Sequence, residues 1–217
     1  MRRGAAAFPL TRDGVRGVRH QPEIPDGRGL VLTHGAGSDC NAPLLVAVAT
    51  EFCAAGITVL RCDLPFRQRR AKGPPSPATA AADRAGLKRA LAALGEFASG
   101  ALFLGGHSYG GRQASLLAAE EPEAAAGLLL LSYPLHPPAK PAQLRTAHFP
   151  RLRVPATFVH GTVDPFGSIE ELGAALALLP APARLIAVEG AGHDLKRGRF
   201  DLVPVLEAVL RRPAAAP

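Results

Sequence analysis

The feature that most constrains the fold is a glycine-rich turn that directly follows a short apolar run near the middle of the chain. Residues 101–104 are Ala-Leu-Phe-Leu, residues 106–110 are Gly-His-Ser-Tyr-Gly, and a helical pattern covers residues 111–120. A sharp strand-to-helix turn has no space for side chains two residues before and two residues after its central residue. Gly106 and Gly110 meet this requirement because glycine has no side chain. The sequence therefore predicts that Ser108 lies at such a turn in a strained backbone conformation.

Short β-type runs alternate with helical runs along most of the chain. The predicted strands cover residues 30–33, 57–61, 101–104, 127–132, 155–160 and 184–188, and the predicted helices cover residues 43–55, 80–97, 111–120, 168–179 and 201–211. Asp39 or Asn41 is a candidate cap for the first of these helices, with Pro43 in its first turn. The alternation predicts an α/β fold with a mostly parallel central sheet and helices on both faces.

The length of 217 residues predicts one domain over residues 1–217. Residues 1–27 are expected to form an N-terminal arm or antiparallel edge strands. Residues 64–77 are expected to be an irregular excursion, and residues 134–153 a short, Pro-rich, lid-like one. No apolar run approaches the roughly 18 residues of a membrane span.

The composition favours a soluble protein of the cytoplasm. Proline and charged residues interrupt the N-terminus before the apolar core of a signal peptide can form. The three cysteines form neither an even set nor a C-x-x-C pair, which disfavours a disulfide framework or a zinc site; they are Cys40, Cys53 and Cys62.

The net charge of +7 comes mainly from arginine, and only 5% of the residues are aromatic, so nucleic-acid binding is disfavoured. A local basic cluster follows a predicted strand; its members are Arg67, Arg69, Arg70 and Lys72. Two interpretations stay open. The cluster overhangs the site and attracts an anionic substrate, such as an acyl-CoA or a carboxylate, or it is an ordinary solvated loop.

Ser108 requires a general base and a carboxylate that orients the base, in the chain order Ser, Asp or Glu, His. His193 follows the last predicted strand in a glycine-rich loop, and Asp164 follows the preceding strand. The carboxyl ends of parallel strands share one edge of the sheet, so the three side chains are expected to meet there. Asp63 and Asp194 are rival acids, but neither is placed as well as Asp164.

The charge that develops on an attacked carbonyl oxygen requires backbone N–H donors. We expect one from Tyr109, the residue after Ser108. The second is expected from the loop of His34, Gly35, Ala36 and Gly37, with the N–H of Ala36 favoured and that of Gly37 as the alternative. His34 is interpreted as a brace for this loop.

Two further histidines lie at predicted strand ends. His107 and His160 are interpreted as structural, although His107 is also a candidate to face the substrate. A metal site formed by these two residues and His34 is disfavoured, because carboxylate-rich and H-E-x-x-H patterns are absent. No metal or other cofactor is expected.

In this arrangement the sequence resembles the α/β-hydrolase superfamily. It is most similar to small predicted hydrolases related to dienelactone hydrolases, a subfamily that includes a testis-expressed protein and a subunit of the nonspecific lethal histone acetyltransferase complex. The segments that carry the resemblance are residues 33–39, 105–112, 133–138 and 161–167. The resemblance implies the fold, a minimal cap or none, and a Ser-Asp-His triad of Ser108, Asp164 and His193.

The chain also departs from these relatives. Dienelactone hydrolases carry cysteine at the nucleophile position, so Ser108 argues against that activity itself. His107 and Tyr109 stand where the subfamily leads us to expect a basic residue and methionine, which alters the pocket but not the backbone donor of residue 109.

The leading hypothesis is a cofactor-free serine hydrolase, of carboxylesterase or thioesterase type, that acts on a small-molecule ester or thioester through an acyl-enzyme. The alternative is a non-catalytic interaction or scaffold protein that retains the fold. A monomer or a homodimer is expected, without a membrane or nucleic-acid partner.

Overall fold

One eight-stranded sheet organises the part of the chain that the structure describes. The computed structural model describes residues 6–210. The strands are β1 (Ala6–Arg12), β2 (Val15–Gln21), β3 (Gly29–Thr33), β4 (Thr58–Cys62), β5 (Leu102–His107), β6 (Leu128–Leu131), β7 (Ala156–Gly161) and β8 (Ala183–Val188). Their order is β1-β2-β4-β3-β5-β6-β7-β8. Strands β3 to β8 are parallel and β1 and β2 antiparallel, which confirms the predicted mostly parallel sheet.

Helices cover both faces of the sheet. They are α1 (Pro43–Ala54), α2 (Pro65–Arg69), α3 (Ala80–Gly95), α4 (Tyr109–Glu120), α5 (Ile169–Leu176) and α6 (Val203–Leu210). Buried residues of α3, α4 and α5 belong to one hydrophobic cluster, and buried residues of α1 and α6 belong to the other. The sheet therefore has a separate core on each face.

Strand β6 shows why the sheet must be covered on both sides. Its four residues are all leucine and all buried. Leu128 and Leu130 belong to the α3–α5 cluster, whereas Leu129 and Leu131 belong to the α1–α6 cluster, because successive side chains of a strand point to opposite faces. A continuous apolar run of this kind is typical of central parallel strands.

The N-terminal segment forms an antiparallel hairpin at one edge of the sheet. Asp13 and Gly14 connect β1 to β2 with φ values of 51° and 74°, the left-handed conformation that a two-residue hairpin turn requires. Strand β2 then pairs with β4, so close to it that a Cβ on Gly17 would lie 2.0 Å from the Arg61 carbonyl oxygen. Of the two alternatives for residues 1–27, the structure shows the edge strands; residues 1–5 lie outside the described residues.

The predicted side-chain cap of α1 is wrong. Its N-cap residue is Ala42, and no side chain caps the helix. The Asp39 carboxylate instead accepts a hydrogen bond from the Asn41 N–H at 2.7 Å, which closes a local turn before the helix begins.

The two excursions differ from each other. Residues 64–77 were expected to be irregular throughout, yet they contain the short helix α2. Pro65 begins this helix, where its missing N–H is no loss. The Pro-rich excursion over residues 134–153 contains one 3-10 turn, Phe149–Arg151, and no α-helix, so it does not form a helical cap.

The parallel strands bring their carboxyl ends to one edge of the sheet, where the predicted site residues follow β3, β5, β7 and β8. This edge is where open α/β sheets bind their ligands. Within residues 6–210, no helix has both the length and the apolar character needed to cross a membrane.

Candidate active site

Ser108 lies between β5 and α4 in a strained backbone conformation. Its φ is 51° and its ψ is −116°, a region that residues with a side chain rarely adopt. Such a conformation costs on the order of 1–3 kcal/mol and persists only where the surroundings impose it. Here the Ser108 N–H donates to the Leu131 carbonyl at 2.8 Å, and the Ser108 carbonyl accepts from the Arg112 N–H at 2.9 Å. The sheet and the helix together hold the turn.

Close backbone contacts around the turn explain the glycines on either side of it. A Cβ on Gly106 would lie 2.7 Å from the carbonyl carbon of Gly110. A Cβ on Gly110 would lie 2.5 Å from the carbonyl oxygen of His34. Neither distance is possible for a real side chain, so any larger residue would force the turn away from β3 and the loop that follows it.

Three side chains from three strand ends form a continuous hydrogen-bonded chain. The distance between Ser108 Oγ and His193 Nε2 is 2.8 Å, and His193 Nδ1 lies 2.8 Å from Asp164 Oδ2 and 3.0 Å from Oδ1. The carboxylate can only accept, so Nδ1 carries the proton and donates it. Nε2 is then free to accept the hydroxyl proton of Ser108, which is the arrangement that a general base requires.

The Asp164 carboxylate is buried beneath this chain. Burial by itself raises its pKa, but hydrogen bonds from His193 and from the Phe166 N–H, at 2.9 Å, outweigh burial and lower the pKa overall. The rival acids have other partners. Asp63 accepts from the Cys40 N–H and pairs with Arg16, and the side chain of Asp194 is 62% exposed. The orienting position next to His193 is therefore occupied by Asp164.

The loop of residues 34–38, from which the second oxyanion donor is expected and which we call the oxyanion loop, lies beside the turn. The Leu64 N–H donates to Nε2 of the buried His34, so the His34 proton is on Nδ1, which donates to the Gly35 carbonyl at 2.8 Å. The Ser38 N–H reaches the same carbonyl at 3.2 Å. In a trans peptide the N–H of the next residue points the opposite way, so these contacts set the direction of the Ala36 N–H. Among residues 6–210 this N–H has no acceptor.

Arg67 is buried, with 5% of its surface exposed, and its guanidinium binds the oxyanion loop. It donates to the carbonyls of Ala36 at 2.7 Å, Ser38 at 2.9 Å and Ala71 at 2.7 Å, and to two more carbonyls in its own loop. The guanidinium is thus bound to the backbone of its own protein, and neither the substrate-facing nor the solvated-loop interpretation describes Arg67. The acceptors in all of these hydrogen bonds are backbone carbonyls. A planar guanidinium can bind several of them at once because it carries five N–H donors.

The other two arginines of the basic cluster are exposed, at the end of α2 and just after it. Arg70 donates to the Pro74 carbonyl at 2.5 Å, and Arg69 has no side-chain partner within residues 6–210. Attraction of an anionic substrate by these two residues stays a prediction.

The two histidines at strand ends have separate surroundings. His107 Nε2 lies 2.7 Å from the His193 carbonyl oxygen, so its ring is held by a loop, and a contact of this partly exposed ring with a substrate stays a prediction. His160 is fully buried, and its Nε2 lies 2.8 Å from the Gly167 carbonyl and 3.7 Å from the Asp164 carboxylate. Within residues 6–210, no group of three or more His, Cys, Asp or Glu side chains is placed to hold a metal ion.

Two contacts at the site were missed from the sequence. The Phe166 ring stacks on the His193 ring at 4.2 Å between centroids, with 32° between the planes. The Tyr109 hydroxyl donates to the buried Asp83 carboxylate at 2.8 Å, and burial together with this bond raises the pKa of Tyr109. No local pattern signals either contact, because Asp83 lies in a helix 26 residues before Tyr109 and Phe166 lies in an ordinary turn.

Arg67 provides a first test of how the oxyanion loop is held. We expect Arg67→Gln to lower the free energy of unfolding by about 2–3 kcal/mol, because several buried carbonyls lose their donor. The exposed Arg69, on the same short helix, supplies the matched control, and Arg69→Gln should change stability by less than about 0.5 kcal/mol. Urea unfolding measures both values. Equal effects of the two variants would contradict the assigned role.

Asp164 provides a test that depends on pH. The folded state favours its ionised form, so its contribution to stability is complete above the ordinary pKa of 3.8 and is lost as the pH falls through the lower folded value. We expect Asp164→Asn to have a lower melting temperature than the wild type at pH 7, with a difference that shrinks as the pH falls towards about 3. The exposed Asp194→Asn is the control. Parallel wild-type and Asp164→Asn curves over this range would refute the assignment.

Comparisons with known proteins give a family and several structures of similar fold. A family model described as an alpha/beta hydrolase domain matches residues 26–203. Among solved structures, TT1662 from Thermus thermophilus is 22% identical, with a TM-score of 0.73, and the match covers 96% of this chain and 100% of that one. A dienelactone hydrolase from Anabaena variabilis is 22% identical, with a TM-score of 0.69 and 95% of each chain covered.

A third structure, XC6422 from Xanthomonas campestris, is described as a serine hydrolase without a lid. It is 16% identical, with a TM-score of 0.71, and the match covers 96% of this chain and 97% of that one. At these identities the structures show a shared fold alone. The family match spans most of the chain and includes the turn at Ser108, Asp164 and His193. The chain belongs to the alpha/beta hydrolase domain family.

Proposed function

We propose that this chain is a serine hydrolase that cleaves a carboxylic ester or thioester through Ser108, His193 and Asp164. The observation that carries the proposal is the unbroken chain of hydrogen bonds from Ser108 Oγ through the His193 ring to the Asp164 carboxylate, each of 2.8 Å at its shortest. Membership of the family and serine hydrolases among the structural neighbours support it.

The first half of the proposed reaction forms an acyl-enzyme. His193 Nε2 takes the hydroxyl proton of Ser108 as Oγ attacks the carbonyl carbon of the substrate, and the carbonyl oxygen becomes an oxyanion. The N–H groups of Tyr109 and Ala36 donate to this oxygen. When the intermediate collapses, the bond to the leaving group breaks, and the His193 imidazolium returns the proton to the departing alcohol or thiol.

The second half of the reaction regenerates the enzyme. Water replaces the leaving group, His193 takes one of its protons, and the resulting hydroxide attacks the acyl carbon. The bond to Ser108 Oγ breaks, Oγ recovers the proton from His193, and the carboxylic acid leaves. Throughout, the negatively charged Asp164 carboxylate accepts the hydrogen bond from His193 Nδ1. It keeps the proton on Nδ1 while the ring is neutral and stabilises the imidazolium when it forms.

The position of Tyr109 supports its proposed role as an oxyanion donor. It is the first residue of α4, so its N–H has no partner within the helix. The helix dipole places partial positive charge at the same point, where it stabilises an anion. The hydrogen bond of its side chain to Asp83 and the edge-to-face contact with Phe66, at 5.7 Å, hold the residue in place.

We further propose an open site that admits small esters without the movement of a lid. The excursion over residues 134–153 contains only the 3-10 turn Phe149–Arg151 and forms no helical cap, and Ser108 is partly exposed. The structural neighbour described as lacking a lid has a similar overall fold. Tyr109 and Phe166, which are both partly exposed, supply aromatic surface next to the triad, which suits an uncharged acyl or leaving group.

Hydrolysis of short-chain nitrophenyl esters tests the proposal. We expect Ser108→Ala to lower kcat by more than about 10⁴-fold, because the nucleophile is lost, while the melting temperature stays close to that of the wild type. Ser99→Ala, at an exposed serine remote from the triad, should retain full activity. Retention of turnover in Ser108→Ala would refute the proposed nucleophile.

A further inference from the structure

His107 joins three parts of the site. It is the last residue of β5 and directly precedes Ser108. The proton on its Nε2 is donated to the carbonyl oxygen of His193 at 2.7 Å, because a carbonyl can only accept. On the opposite side, a Cβ placed on Gly35 would lie 2.9 Å from His107 Nδ1. The ring therefore occupies the space between the base loop, residues 190–194, and the oxyanion loop.

The ring performs this task without carrying a charge. Burial lowers the pKa of His107 to about 4, so the imidazole is neutral at neutral pH. The ionisable groups that face it are His193, Asp164 and Asp194. The two imidazole rings lie 5.2 Å apart, and a neutral His107 does not oppose the positive charge that His193 acquires during the reaction.

The base loop is held by backbone hydrogen bonds on either side of His193 and by His107 at His193 itself. Gly190 has a φ of 61°, and a Cβ on Gly192 would contact nothing within 4 Å, so no side chain at residue 190 or 192 fixes the chain before His193. Two backbone hydrogen bonds hold the residues next to His193. The Val163 N–H donates to the Ala191 carbonyl, and the Leu195 N–H donates to the Gly192 carbonyl. The carbonyl of His193 itself is held by His107.

We propose that His107 is a positioning residue that fixes the base loop against the nucleophile strand, so that the His193 ring meets Ser108 in reactive geometry. This inference rests on the proposed hydrolase function. Its physical basis is that a displacement of about 1 Å in a catalytic group can cost about 10²-fold in rate. His107 touches no reacting atom, so its removal should act on kcat and leave substrate binding largely intact.

The sharpest test compares two amides of different length at position 107. Glutamine places its N–H₂ group near the position of histidine Nε2, whereas the shorter asparagine places it near Nδ1. We expect His107→Gln to retain most of kcat for a nitrophenyl ester. His107→Asn and His107→Leu should lower kcat by about 10–100-fold with KM within about threefold of the wild type.

His148 supplies the matched control. It is a buried histidine whose pKa is likewise lowered by burial to about 4, but it pairs with Ser115 Oγ of α4 at 2.8 Å. His148→Leu is expected to lower the melting temperature and to leave the kcat of the folded enzyme unchanged. An equal loss of kcat in His148→Leu would show that loosening of the fold explains the result, and would overturn the role of His107.

The outcomes separate this inference from the function on which it rests. If the wild-type protein shows no esterase turnover, both the proposed hydrolase function and the positioning role of His107 are overturned. An active wild type with unchanged kcat in His107→Asn and His107→Leu overturns the positioning role alone. If His107→Leu does not fold, the Gln and Asn pair decides: equal kcat in the two amides contradicts the proposal, and a 10-fold or greater advantage of Gln supports it.

Discussion

The site depends on the close backbone packing around Ser108. Gly106 and Gly110 lie at the turn between β5 and α4, where a Cβ on Gly106 would collide with the backbone of Gly110 and a Cβ on Gly110 would collide with the backbone of His34. Only glycine allows the two sides of the turn and the oxyanion loop to pack this closely. This packing holds Ser108 at a positive φ, which moves its hydroxyl out of the strand and toward His193. The strain of the turn is offset by β5, which pairs with both β3 and β6 at the centre of the sheet.

The groups around the turn are held before any substrate arrives. His34 and Arg67 bind successive carbonyls of the oxyanion loop and so orient its N–H groups. Asp164 holds the tautomer of His193, and His107 holds its carbonyl. Preorganised donors are effective because no rearrangement is needed when charge develops on the substrate. The rigid sheet edge supplies the framework, and buried side chains set the finer geometry.

Sequence reasoning was most successful where chemistry depends on local pattern. The turn at Ser108 requires small residues at fixed positions, and residues that follow parallel strands must share an edge, so the convergence of Ser108, Asp164 and His193 could be inferred without coordinates. The hairpin turn at Asp13 and Gly14 has an equally local signature, an Asp-Gly pair between two runs, which favours edge strands over an arm.

The remaining features depend on contacts between distant segments. Arg67 lies in a basic run that looks solvated, and its burial follows only from carbonyls of two loops that converge on it. His107 similarly meets a carbonyl 86 residues later in the chain. The absence of a side-chain cap on α1 arises because Asp39 closes the preceding turn instead. Tertiary packing determines which of several possible partners each of these side chains binds. The periodicity of the sequence and its turn residues do not contain that information.

Covalent labelling by a fluorophosphonate probe tests the central claim most directly, because the probe reacts only with an activated serine. The account predicts one adduct per chain in the folded wild type, located on Ser108 by mass spectrometry of the digested protein, and a strongly reduced labelling rate in His193→Ala. A folded wild type that remains unlabelled, or that carries its adduct on another serine, would contradict it and favour a non-catalytic protein with the same fold.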